Sequence, residues 1–207
     1  MKVINLYGGP GSGKSTTAAG LFSLMKIEGQ RVELVTEFAR DEINSGNAHR
    51  LQNQDWIFAH QHHRIERLKD NGLDYVITDS PLLLMLVYAE NVWIDKPYLN
   101  SFKQFVYDVD QTYTSYNFFM QRADQSESEL EDDLGRIHTL EQSKKIDNQI
   151  LTMLKYHNII YKQFVVGLDT IEKIYSDINR TYNEYNKYTT RQKPSGLSIN
   201  KYSLRGH

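Results

Sequence analysis

The chain contains no cysteine, which excludes disulfides and cysteine–zinc centres and suits a reducing compartment. No apolar run approaches the roughly 20 residues of a membrane-spanning helix. No charged-then-apolar leader precedes the first strand pattern. The expectation is a soluble, cytoplasmic protein without a membrane partner. Charge of one sign is not in excess either: the formal net charge is −2, so no global basic field announces nucleic acid. Internal repeats are missing. What remains is 207 residues with 40 % hydrophobic and 24 % charged side chains, enough for one α/β domain or one domain plus a tail. Tyrosine is plentiful at 14 residues, several of them near the C-terminus.

One stretch carries most of the information. Gly8-Gly9-Pro10-Gly11-Ser12-Gly13-Lys14-Ser15-Thr16 fits G-x-x-x-x-G-K-[ST], with Gly8, Gly13, Lys14 and Ser15 in the fixed positions. The run Val3-Ile4-Asn5-Leu6-Tyr7 before it has a buried-strand pattern. The segment after it has a helix pattern, with Ala18, Leu21, Phe22 and Met25 at three- and four-residue spacing. Strand, glycine turn and helix form the setting the motif needs. The glycines let successive N–H groups point into one concavity that takes phosphate oxygens, and the helix dipole adds positive potential there. Lys14 can reach the outer phosphates and the Ser15 hydroxyl can ligate magnesium. A nucleoside triphosphate site follows.

Further along, residues 31–36, 75–78, 116–120 and 159–166 read as strands two to five. Helices are expected at about 13–28, 37–43, 51–69, 82–89, 95–109 and 139–156, with a last one from Asp169 or Thr170 into the early 180s. Pro81 suits the first turn of its helix. Residues 121–136 are polar and strongly acidic, with Glu127, Glu129, Glu131, Asp132 and Asp133, and read as a mobile excursion. Strands alternating with helices imply a five-stranded parallel sheet with helices on both faces. Right-handed crossovers put all carboxyl ends on one edge, where such folds bind ligands. That edge would gather the glycine loop, Glu37, Asp79, Arg122 and Gly167-Leu168-Asp169.

With these residues in view, the chain resembles a P-loop kinase of the nucleoside and nucleotide kinase group. More narrowly it resembles a small family that includes the ribosylnicotinamide kinase domain and many phage-encoded ATPase or kinase proteins. The matching pieces are the glycine loop, Glu37-Phe38-Ala39-Arg40, Gln61, Thr78-Asp79-Ser80-Pro81, and Arg122 with Gly135-Arg136. They span residues 2 to about 180. The resemblance implies a kinase domain over 1–185 with a lid at about 121–137; the polar, basic tail over 186–207 is read from its residues and has no counterpart in that family. It implies ATP and Mg2+ as cofactors. Lid arginines Arg122 and Arg136 would close over the triphosphate, and backbone at Gly167 and Asp169 would wrap the adenine.

Each role has an ordinary alternative. Asp79 can hold magnesium through water, act as the base, or merely cap a helix. Glu37 can accept the acceptor's hydroxyl proton or be a surface acid favoured by the helix dipole. The two acids are not separated by sequence as candidates for the base, though similar kinases favour Glu37. Arg40, one turn on, can bind a substrate phosphate or pair with Glu37. Gln61 can hydrogen-bond a substrate base. His60, His62 and His63 invite a metal site, but His62 and His63 point to different faces of a helix. Trp56 and Phe58 read as core rather than as a base-stacking pair. Lys187, Arg191, Lys193, Lys201 and Arg205, with tyrosines nearby, suit flexible nucleic acid or a plain polar tail.

The expected function is transfer of the ATP γ-phosphate to a hydroxyl on a nucleoside-type acceptor. Phage relatives in the resembled family phosphorylate the 5-hydroxymethyl group of 5-hydroxymethyluracil in DNA, which is the narrow expectation. A free nucleoside, a nucleotide or nicotinamide riboside is the alternative acceptor. A switch-type P-loop ATPase is the alternative class, but strand three ends in Thr78-Asp79-Ser80, without a glutamate beside the aspartate. Oligomeric state is left open.

Overall fold

The computed structural model describes residues 1–123 and 139–191. The acidic segment with Arg136, and Lys193, Lys201, Tyr202 and Arg205 of the tail, lie outside the described residues. Five strands form the sheet: β1 (Lys2–Tyr7), β2 (Val32–Val35), β3 (Tyr75–Thr78), β4 (Ser115–Gln121) and β5 (Lys162–Val165). Their order is β2-β3-β1-β4-β5 and every pairing is parallel. The helices are α1 (Lys14–Ile27), α2 (Phe38–Asn44), α3 (Gln54–Glu66), α4 (Leu84–Val92), α5 (Leu99–Asp110), α6 (Leu140–Tyr156) and α7 (Thr170–Arg191).

Central β1 is buried almost throughout because both faces of the sheet are covered. Ile4 and Leu6 face α1 and α7, packing with Leu21, Met25, Ile174 and Ile178. Val3 and Tyr7 face the other layer, with Phe58, Leu86, Val106 and Ile150 from α3 to α6. Truncating Leu21, Met25, Ile150, Ile174 or Ile178, all fully buried, to alanine would cost about 2–5 kcal/mol. α1 stops in a Schellman turn at Gly29 (φ 74°), whose N–H donates to the Lys26 carbonyl while Gln30 N–H donates to that of Met25. α6 starts on a reciprocal cap: the Thr139 hydroxyl accepts from Gln142 N–H, and Gln142 Oε1 accepts from Thr139 N–H.

Several boundaries differ from expectation. The helix expected over 51–69 is a 3-10 turn, Ala48–Gln52, followed by α3; its last turns after Glu66 tighten to i→i+3 bonds. Pro81 lies in a turn before α4 rather than in its first helical turn, its carbonyl accepting from Leu84 N–H. β5 begins at Lys162, because Ile159 N–H is spent closing α6 onto the Leu154 carbonyl. α7 runs to Arg191 and past the expected domain boundary, since no glycine or proline interrupts it before Pro194.

Opposite the carboxyl edge, Asp110 is buried at the end of α5 and its carboxyl is raised to about 7, burial outweighing a hydrogen bond from Gln111. Between the ordinary carboxylate range and that value, the unfolded chain releases the proton while the folded chain keeps it. Stability therefore falls as pH rises through this window and levels off above it. Asp110→Asn should raise stability at pH 8 by up to roughly 4 kcal/mol and change it little at pH 4. Urea denaturation at the two pH values checks this; equal effects at both would contradict it.

Candidate active site at the carboxyl edge of the sheet

The loop after β1 turns through Gly8, Gly11 and Gly13, all at positive φ. Gly13 (φ 81°) has a second constraint: a Cβ there would lie 2.9 Å from Val166 Cγ1, so the loop packs directly on the end of β5. No side chain caps α1 and no acid sits in its first turn, which leaves its positive end facing the loop. Ser12 Oγ is buried without a hydrogen-bond partner. Lys14 Nζ donates to the Gly9 carbonyl at 2.9 Å. Burial lowers the Lys14 ammonium from its ordinary value, against the opposing pull of Glu37, Asp79 and Asp147; Arg122 adds to the lowering.

Asp79 follows β3, is 5 % exposed, and its Oδ1 has no hydrogen-bond partner. The helix-cap alternative does not hold, because α4 begins at Leu84 without a side-chain cap. Asp79 Oδ1, buried and unpartnered near Lys14, and the half-buried Ser15 hydroxyl at the start of α1 are hard-oxygen donors of the kind magnesium takes. Glu37 ends the β2 connection and precedes α2, with no capping bond of its own. Burial raises its carboxyl above the ordinary range; Lys14 and Arg40 pull it down, Asp79 and Asp41 push it up. Arg40 is exposed and makes no ion pair among the described residues.

Arg122 is held at the end of β4 with its side chain 7 % exposed. Nε donates to Asp147 Oδ2 at 2.7 Å and Nη2 to the Pro10 carbonyl at 2.6 Å, while Nη1 is buried without a partner. Gln61 differs from expectation. It is fully buried: Oε1 accepts from Phe38 N–H at 2.9 Å and Nε2 donates to Thr78 Oγ1 at 3.3 Å. It ties the start of α2 to the end of β3, beneath the site, and its amide is sealed from a substrate base. Gly167 N–H donates to Thr170 Oγ1 and exposed Asp169 pairs with Lys173; the contact with the glycine loop is made by Val166, the residue before them, against Gly13. The histidines disperse: His60 stacks on Phe38, and His62 meets Tyr113 and Glu66. Phe58 is core, and Trp56 is half-buried against Phe38.

Sequence reasoning missed two residues. Asp147 on α6 accepts from Gly9 N–H at 2.5 Å and holds Arg122. Its signal was an acid beside Ile146 and within the buried stripe Ser143, Ile150 and Leu154. Tyr88 on α4 has its hydroxyl raised above the ordinary value by burial, then by Glu37 and Asp147. Both acids therefore act on it, a relation no linear pattern reveals.

A parallel sheet of this order, with a phosphate loop after its central strand, defines the P-loop kinase fold. A family model described as an AAA domain matches residues 3–167, and the chain belongs to that family. No curated protein matches it. Among solved structures the chain is similar to a deoxyadenosine kinase from M. mycoides with dCMP and a flexible dCDP bound, at 18 % identity and a TM-score of 0.55 over 86 % of this chain and 99 % of that one. It is also similar to a thymidylate kinase from Ehrlichia chaffeensis, at 15 % identity and a TM-score of 0.55 over 87 % and 98 % of the two chains. At these identities the likeness is one of fold.

Gln61→Leu should destabilise the protein by about 1–3 kcal/mol, because it orphans the buried Phe38 N–H. Chemical denaturation measures this. Unchanged stability with a raised KM for the acceptor would return Gln61 to the substrate.

Proposed function

We propose that the protein is an ATP-dependent kinase that phosphorylates a hydroxyl on a nucleoside-type acceptor. In its narrow form the acceptor is the 5-hydroxymethyl group of 5-hydroxymethyluracil within DNA. The observation that carries the proposal is Glu37: a largely buried carboxylate with no capping bond, close enough to Lys14 and Asp79 for each to shift its titration. Such a group is suited to take a proton from an attacking hydroxyl. The acceptor oxygen bonds to the γ-phosphorus, the bond from that phosphorus to the β–γ bridging oxygen breaks, ADP leaves, and the hydroxyl proton passes to Glu37. Lys14 and Arg122 offset charge on the transferred group, Arg136 joining them in the lid the resemblance implies. Ser15 and, through water, Asp79 would hold magnesium, which supplies charge neutralisation on the β- and γ-phosphate oxygens. Loop residues 8–16 hold the phosphates, with Gly167 and Asp169 at the adenine.

Two features support the DNA form: the resemblance to phage base kinases, and exposed Arg40, unpaired among the described residues and one turn from Glu37, where a backbone phosphate could dock. An ATPase of the switch type is less favoured because Ser80 follows Asp79 where a water-aligning glutamate would stand; its N–H is bonded to Thr78 Oγ1.

γ-Labelled ATP should transfer its label to DNA containing 5-hydroxymethyluracil and not to free nucleosides, nicotinamide riboside or nucleoside monophosphates. Labelling of a free nucleoside instead would remove the DNA form and keep the kinase. Fast hydrolysis without any acceptor would sink the kinase class. Glu37→Gln should lower kcat by about 100-fold or more with ATP binding little changed. Because burial raises the Glu37 carboxyl, wild-type kcat should fall as pH drops through a value above the ordinary glutamate range, and this acid limb should vanish in Glu37→Gln.

A further inference from the structure

α3 separates its charges by face. Its acids, Asp55 and Glu66, line the groove shared with α5, together with Phe58, Phe102 and Phe105. Trp56, His60 and Arg64 recur every four residues, and Arg67 follows three residues later at the helix end. These four share another face, and no acid lies among them. That face packs against α2, which begins directly after Glu37. The His60 ring stacks on Phe38, with 4.3 Å between centroids and 14° between planes. Trp56 meets Phe38 and His60 edgewise, at 4.9 and 4.7 Å, and the Arg64 guanidinium lies 5.0 Å from the Phe38 centroid. Phe38 is buried by these contacts. His60 is exposed, with no hydrogen bond and no third ring against it among the described residues.

The cations around these rings fall into two groups. Arg64 is bonded to Asp41 and the Thr36 carbonyl, and Arg50, 5.5 Å from the Trp56 ring, pairs with Glu42. Both acids of α2 are thereby neutralised. Exposed Arg40 and Arg67 have no ion pair among the described residues and remain in surplus. A supported ring at the surface offers a stacking face to a base, and the two surplus cations offer charge to a phosphate backbone. From Trp56 to Arg67 the helix advances about 16 Å, several nucleotides at ~3.4 Å each. A free nucleoside at Glu37 is too short to use both the ring and Arg67.

We propose that this face of α3, with Arg40, is a docking track for the single-stranded polynucleotide that flanks the reacting nucleotide. One neighbouring base stacks on His60 beside Trp56, and backbone phosphates meet Arg40 and Arg67. The inference rests on the polynucleotide acceptor proposed above and assigns it a surface.

The test is binding of a dye-labelled oligothymidylate of roughly 12 nucleotides, followed by fluorescence anisotropy and by tryptophan emission. The wild type should bind it, more weakly as salt rises, with emission quenched. Trp56→Phe leaves buried Trp93 as the remaining tryptophan and should lose the quenching. His60→Ala should weaken binding by about 5- to 100-fold, whereas His60→Phe, which keeps a ring face, should stay near the wild type. Arg40→Ala and Arg67→Ala should each reduce the slope of log affinity against log salt by about one. Phe105→Ala, in the groove between α3 and α5, should change nothing. A loss at Phe105 with none at His60 would move the strand to that groove and overturn the proposal, as would a wild type that fails to bind at low salt. These readouts need no turnover. If the oligonucleotide binds in this way but label passes to a free nucleoside, the track stands and the DNA acceptor falls. If DNA is labelled and its KM is unchanged in His60→Ala and Arg67→Ala, the acceptor stands and the track falls.

Discussion

A parallel sheet collects its strand ends, and everything at this site depends on that. β1 sits between β3 and β4 with every neighbour parallel. The loop after β1, Asp79 after β3, Glu37 beyond β2, Arg122 after β4 and Val166 after β5 come from five separate stretches. None is near another in sequence, yet parallel pairing leaves them one edge to occupy. Gln61 locks part of this arrangement by bonding the first N–H of α2 and the side chain of Thr78 at once. The β2 and β3 ends are thereby held in fixed relation, and Glu37 and Asp79 with them.

Edge placement brings an electrostatic cost. Glu37, Asp79 and Asp147 converge on Lys14 and Arg122 in a region largely removed from water. Isolated buried charges are expensive, and groups left without partners more so. The protein resolves part of this internally, through Asp147 with Arg122 and Lys14 with the Gly9 carbonyl. Part is left open, at Asp79 Oδ1, Ser12 Oγ and Arg122 Nη1. Unpartnered polar atoms are scarce in folded proteins, and here three of them cluster around one loop. That pattern suits a site completed by a polar, charged ligand.

The order of elements, the parallel sheet and the phosphate loop were legible in the sequence because each rests on local pattern: apolar runs, helical spacing, glycine at turns. Glu37 and Asp79 were legible as strand-end acids. Boundaries were less so. The end of α7 depended on a helix continuing through polar residues, and the start of β5 on a helix-closing bond from Ile159 N–H. The long-range partners were legible least. Nothing near Gln61 says that its amide is committed to Phe38 and Thr78, 23 and 17 residues away. Asp147 showed only as an acid on an apolar stripe, and its bond to Gly9 spans 138 residues.

The charge balance also bears on which oxygen can be the acceptor. A phosphate acceptor arrives already ionised and needs no base. Brought against Glu37 and Asp79 it would meet two acids, with Arg122 engaged by Asp147 and Lys14 by the loop, and with Arg40 as the neighbouring cation unpaired among the described residues. A hydroxyl is different. It is neutral on arrival, so the acids do not repel it, and it gains from a neighbouring carboxylate as its proton leaves. Burial raises the Glu37 carboxyl and makes it a stronger base once ionised, while Lys14 limits that rise. Any phosphate on the acceptor is better met by Arg40, which is exposed on α2 one turn from Glu37. An acceptor with a neutral reacting hydroxyl and its anionic groups at a distance satisfies both ends, and a hydroxyl on a base within a polynucleotide has that form.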